Sequence, residues 1–155
     1  VTSAEEAWQA MKSAEDAYYR ARMAFVAAGP EAVLREQLGG ARGRATALRV
    51  LADLLPDHTV NLCPEVFEVA VSSERDLALA RQVISRVEPA RLSRVLPPVV
   101  RRFLADEQRD SWQYRRAAEL LDLLGQTELL SELVEKANHS KDHGIRDVGR
   151  DFGAA

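Results

Sequence analysis

Cysteine is nearly absent from this 155-residue chain: Cys63 stands alone. An internal disulfide is therefore excluded, and a reducing, cytoplasmic setting is expected. Lysine is almost as scarce, three against eighteen arginines. With heavy alanine and leucine usage, that bias points to a GC-rich bacterial source. No apolar run approaches the ~18 residues of a membrane span, and the acidic start Val1-Thr2-Ser3-Ala4-Glu5-Glu6 has no apolar signal core. Strand signals are missing too, because no segment alternates with period two over a strand's length. What remains is a chain 46% hydrophobic with a formal net charge of −3, enough apolar content for a core and no overall basic excess.

The stretch Tyr114-Arg115-Arg116-Ala117-Ala118-Glu119-Leu120-Leu121-Asp122-Leu123-Leu124-Gly125 reads as an amphipathic helix with a glycine stop. A second helix follows over Thr127 to about Asn138, and Ile145 to Phe152 begins another. Upstream, Ser3 and Glu6 form a capping-box pattern for a helix that Gly29-Pro30 ends. Its apolar positions alternate in steps of three and four: Ala4, Ala7, Met11, Ala14, Tyr18, Ala21, Phe25, Ala28. The column Met11, Tyr18 and Phe25 is expected to pack against another helix, within the chain or as a homodimer seam.

Further helices are expected from Pro30 to Leu38, about Arg42 to Leu55, Pro64 to Val71, from Ser73 as N-cap through Val87, and about Ala90 to Ala105. A loop is expected over Asp57 to Cys63, and a kink or break at Pro97-Pro98. The fold class is all-α, with residues 1–38 as an N-terminal helical arm and residues 39–155 as a helical repeat region. The expected core is Leu48, Leu51, Ala52, Leu55, Val83, Ile84, Leu92, Leu96, Phe103, Ala117, Leu120, Leu121, Leu124, Leu130 and Leu133.

The helix–turn–helix–restart order and the pattern of Tyr114 to Gly125 resemble a HEAT repeat. Leu48 to Leu55 and Ile145 to Phe152 align on the same pattern, with small residues at Ala52, Ala80, Ala118 and Gly149. The resemblance spans about residues 42–152. It implies a short right-handed stack of antiparallel helical hairpins whose second helices line a concave face, and a protein that binds other macromolecules. A minority of such proteins are enzymes, among them DNA alkyl-base glycosylases and bilin lyases.

Charge is unevenly spread. Residues 75–116 hold ten basic and five acidic side chains, whereas residues 1–74 hold seven and eleven and residues 117–155 hold four and eight. Within this basic centre, Arg91, Arg94, Arg101 and Arg102 share one face of a helix, opposite Leu92, Val95, Leu96, Val99, Val100 and Phe103. The stripe is about 15 Å long, and guanidinium forks suit carboxylates and phosphates alike. A solvated helix face is the plain reading. The functional one is a partner-binding face for an acidic protein, with nucleic acid or a glycosylase-like enzyme as the alternative. Asp110 reads as an N-cap and Trp112 as a core or inter-repeat anchor. His139 and His143 are four apart, but Ser140-Lys141-Asp142 between them reads as a turn. No metal, cofactor or catalytic residue is assigned.

Overall fold

The computed structural model describes residues 3–53 and 56–153. Among them ten helices form and no strand does. These are α1 (Ala4–Ala27), α2 (Glu31–Gly39), α3 (Arg44–Asp53), α4 (Pro56–Asn61), α5 (Cys63–Ser72), α6 (Leu77–Ser85), α7 (Pro89–Ala105), α8 (Ser111–Leu123), α9 (Thr127–Asn138) and α10 (His143–Gly153).

The helix ends follow local chemistry. Ser3 caps α1 with a reciprocal bond to Glu6, and Gly29 beyond its end takes φ +81°. Asp110 caps α8 in the same way with Gln113. At the far end of α8, Gly125 has φ +64°, its N–H donates to Asp122 O, and the N–H of Gln126 donates to Leu121 O. That pair of bonds is the Schellman stop which a glycine after Leu-rich turns predicts.

Two expectations change, and a third is narrowed. The segment read as a loop over residues 57–63 contains the short helix α4; Glu31 of α2 accepts from Asn61 and pairs with His58, which pins it in place. Ser73 does not cap α6. It ends α5, its Oγ accepts from the Asp76 N–H, and the helix begins only at Leu77. The Pro97-Pro98 pair does not split α7 into two helices. The carbonyls that lose their donors belong to Ser93 and Arg94, both exposed, so water can serve them.

The core is assembled around α5 and α8. α5 buries Cys63, Val66, Phe67, Val69, Ala70 and Val71, and packs on α2, α4, α6, α7 and α8. α8 buries Tyr114, Ala117, Ala118, Leu120 and Leu121, and packs on α5, α9 and α10. α7 lies between α4 and α9, and α3 lies against α6. Phe103 of α7 joins the two central helices: its ring meets Phe67 edge-on at 5.8 Å and Tyr114 at 5.4 Å between centroids.

Most of the expected core is buried. Ala52, Leu124 and Leu130 are only partly so, and Leu55 lies outside the described residues. The arm read as residues 1–38 is shorter in packing terms. α2 buries Leu34 and Leu38 and packs on α3 and α5, so it belongs with the core, and only α1 stands apart.

α1 buries none of its residues. Met11 and Tyr18 are about half exposed, and only Phe25 of that column packs against the core. Packing of the whole column within the chain is therefore not what forms, because the helix runs past the bundle it would lie on. Trp112, expected as an anchor, is 67% exposed on the first turn of α8. Of the small positions, Ala80 and Ala118 are fully buried and Gly149 is buried too. A Cβ on Gly149 would collide with the Asn138 carboxamide and backbone, which sets the close approach of α9 and α10.

Leu121 is fully buried between α8 and its neighbours. Leu121→Ala should cost about 2–5 kcal/mol in a denaturant titration. Gly149→Ala should destabilise as well, although alanine is by ~1 kcal/mol the better helix former, because the collision outweighs propensity.

Candidate functional site

The four arginines of α7 are held on a helix whose other face is fixed by burial of Leu92, Leu96, Val100, Phe103 and Leu104. Their surroundings divide them into two pairs. Arg91 is half-buried and pairs with Asp57 of α4. Arg101 makes a two-pronged bond to Glu132 of α9, Nε to Oε2 at 3.0 Å and Nη2 to Oε1 at 2.7 Å. That contact raises the pKa of Arg101 and lowers that of Glu132, in each case chiefly through the hydrogen bond. Arg94 and Arg102 are exposed and have no acidic partner among the described residues. The face is thus a ridge with two tethered cations and two free ones.

Tethering by arginine recurs throughout. Arg22 binds Asp53, Arg35 binds Glu65, Arg81 binds Glu119 and Arg115 binds Asp151, each joining two helices, and Arg109 in the connection between α7 and α8 binds Glu68 of α5. With the two on α7 these ties span 30 to 41 residues of sequence. Ties of that span join elements two or three apart along the chain. Arginine also reaches backbone carbonyls: Arg44 donates to Leu38 O near the end of α2, Arg81 to Arg116 O within α8, and Arg146 to Ser140 O and Lys141 O between α9 and α10. Sequence reading treated Arg91 and Arg101 as free. No sequence signal separates them from Arg94 and Arg102, because acids lie at a similar distance from those two as well, Glu65 before the first and Glu68 before the second.

Next to the ridge, Arg109 sits with its guanidinium 5.0 Å from the Phe103 ring centroid, donates to Glu68 at 2.8 Å and lies 2.9 Å from Asp106. Burial pushes the Glu68 carboxyl up, but the hydrogen bonds from Arg109 and Ser72 outweigh it and leave its pKa below the usual range. Arg102, Val99 and Phe103 line a small hollow of about 140 Å3 together with Phe67, Glu68 and Arg109. On the other flank, Arg101, Leu104 and Ala105 border a depression of about 480 Å3 with Glu132, Glu135, Lys136 and His139 of α9.

No family model, curated protein or solved structure matches this chain. The site therefore has to be read from its own chemistry.

Asp110 accepts the Gln113 N–H as a helix cap, and the neighbouring Trp112 points its bulk to solvent. His139 Nδ1 lies 2.7 Å from the carbonyl of Glu135, and His143 Nδ1 lies 3.2 Å from Asp147. Among the described residues no three His, Cys, Asp or Glu side chains are placed to hold a metal ion. No helix there is long and apolar enough to cross a membrane.

Cys63 is buried at the start of α5. Burial, with a smaller push from Glu65, raises its thiol to about 12. Thiolate is the reactive form, so the native protein at pH 8 should leave a thiol-specific chromogenic reagent unconsumed, and denaturant should release one equivalent. Glu68 gives a pH prediction. A carboxyl whose pKa is lowered by folding adds stability above its unfolded value, about 4.3, and that part is lost as pH falls through the folded value. Glu68→Gln should be less stable than the parent at pH 7, and the difference should shrink as pH drops below about 4.3, as read by chemical denaturation at each pH.

Proposed function

We propose that the chain is a protein-interaction module of the adaptor, scaffold or neutralising kind, which binds an acidic surface on another protein through the α7 ridge. The observation that carries this reading is the pair of unpaired, exposed guanidinium groups, Arg94 and Arg102, on a helix locked in place by five buried side chains. A pre-set cation on a rigid element loses little on binding compared with one on a loop. The surrounding segment, residues 75–116, is net positive between two net negative segments. Its field would steer a negatively charged partner toward this face.

The architecture that we propose with it is HEAT-like. The supporting facts are the pairing of α3 with α6, of α8 with α10 and of α7 with α9, the buried small residues at Ala80, Ala118 and Gly149, and the arginine ties between elements two apart along the chain. In such a stack α7 is a second helix of its pair, and the ridge would lie on the concave side.

Arg94 and Arg102 are the residues to exchange, since neither holds the fold. The Arg94→Glu/Arg102→Glu protein should keep the parent's unfolding midpoint. It should capture less of the parent's partners from a lysate of the source organism, and the parent's advantage should diminish as salt is raised. Equal capture by both proteins would refute the ridge as the binding face. Arg101→Glu is a poorer choice because it would set two carboxylates against each other at Glu132.

A further inference from the structure

α1 leaves two apolar features uncovered. Over its first half, Ala4, Ala7, Met11 and Ala14 form a stripe with Trp8 beside it, and Trp8 and Met11 are about half exposed. Near its other end, Tyr18, Ala21 and Phe25 form one wall of an apolar trough of about 390 Å3, whose other walls are Val33 and Leu34 of α2 and Ala47 and Val50 of α3. The part-buried Phe25 and the 2.8 Å pair between Arg22 and Asp53 hold this end of α1 on the bundle. The stripe and the trough therefore sit on one helix, some 15 Å apart along its axis.

We propose that stripe and trough are the two halves of a self-complementary contact, and that two copies of the chain associate about a two-fold axis with their α1 helices antiparallel. The first half of each α1 then lies in the trough of the other copy. A two-fold arrangement is the one in which a surface carrying both halves satisfies each of them twice.

The seam selects the direction. One column is Ala4, Met11, Tyr18 and Phe25, and the other is Ala7, Ala14, Ala21 and Ala28. In a parallel pair each column meets itself, so layers of large side chains alternate with layers of alanine, and no single spacing packs both. In the antiparallel pair Met11 faces Ala21, Tyr18 faces Ala14 and Phe25 faces Ala7. Every such layer then holds one large and one small side chain. The opposed helix dipoles agree with this direction. Nothing in this contact uses the α7 ridge, so the inference stands apart from the proposed function.

Sedimentation velocity of the full chain over a concentration series tests the association, and should show a reversible monomer–dimer equilibrium. Met11→Glu should shift it to monomer with no change in helical circular dichroism, since Met11 is not in the core. Direction is read by cysteine pairing under mild oxidation, where buried Cys63 does not compete. A mixture of the Met11→Cys and Ala21→Cys proteins should give a covalent dimer that neither gives alone. A parent that stays monomeric, a dimer that survives Met11→Glu, or a covalent dimer from Met11→Cys alone would each overturn the proposal, the last by showing parallel helices.

Discussion

Half of the helices in this fold are arranged to enclose another of them, α5. Six of its ten residues are buried, and they face in several directions rather than along one stripe. A helix apolar on most of its circumference has to be covered on most sides, and α2, α4, α6, α7 and α8 do so. That requirement explains why short elements such as α2 and α4 are present at all. Each covers a part of α5 that the longer helices α7 and α8 leave open. Phe67 links these covers, since it meets α7 at Phe103, which in turn meets α8 at Tyr114.

Around that enclosed helix the outer contacts are made by arginine. Single exposed ion pairs contribute only about 0.2–1 kcal/mol each, so these ties are secondary to burial in holding the chain together. Their effect is on register. A guanidinium fork engages a carboxylate in a narrow range of positions, and a tie at each successive helix pair fixes how far one slides along the next. The excess of arginine over lysine has a structural use here, whatever it also says about the source genome. Among the described residues Arg94 and Arg102 depart from that use, as the exposed Arg20, Arg42, Arg49 and Arg75 also do.

The helical class, the caps at Ser3 and Asp110, the glycine stops at Gly29 and Gly125, and eleven of the fifteen core positions were legible in the sequence. Caps and apolar spacing act over a few residues, and local chemistry decides them. What escaped was decided at longer range. Residues 57–61 look like a loop until Glu31, some thirty residues earlier, supplies partners for His58 and Asn61. Ser73 and Asp76 match a capping pattern, but the end of α5 takes Ser73 first. Trp112 has the composition of an anchor, yet on that turn of α8 Tyr114 takes the buried place and Trp112 lies on the outer side. For the arginine face, sequence pattern located the stripe on α7, whereas only the packed structure distinguishes tethered from free cations. The seam of α1 was visible as a periodicity, and nothing local says whether such a seam closes within a chain or between chains.

The three lysines occupy exposed positions on α1 and around the end of α9, namely Lys12, Lys136 and Lys141. The ridge and nearly all the inter-helix ties are built without them. Acetylation, which cancels charge by capping an amine, therefore has no purchase on α7, and its positive character is beyond the reach of that whole class of cellular signals. The chain itself presents a charge that is permanent across the physiological range.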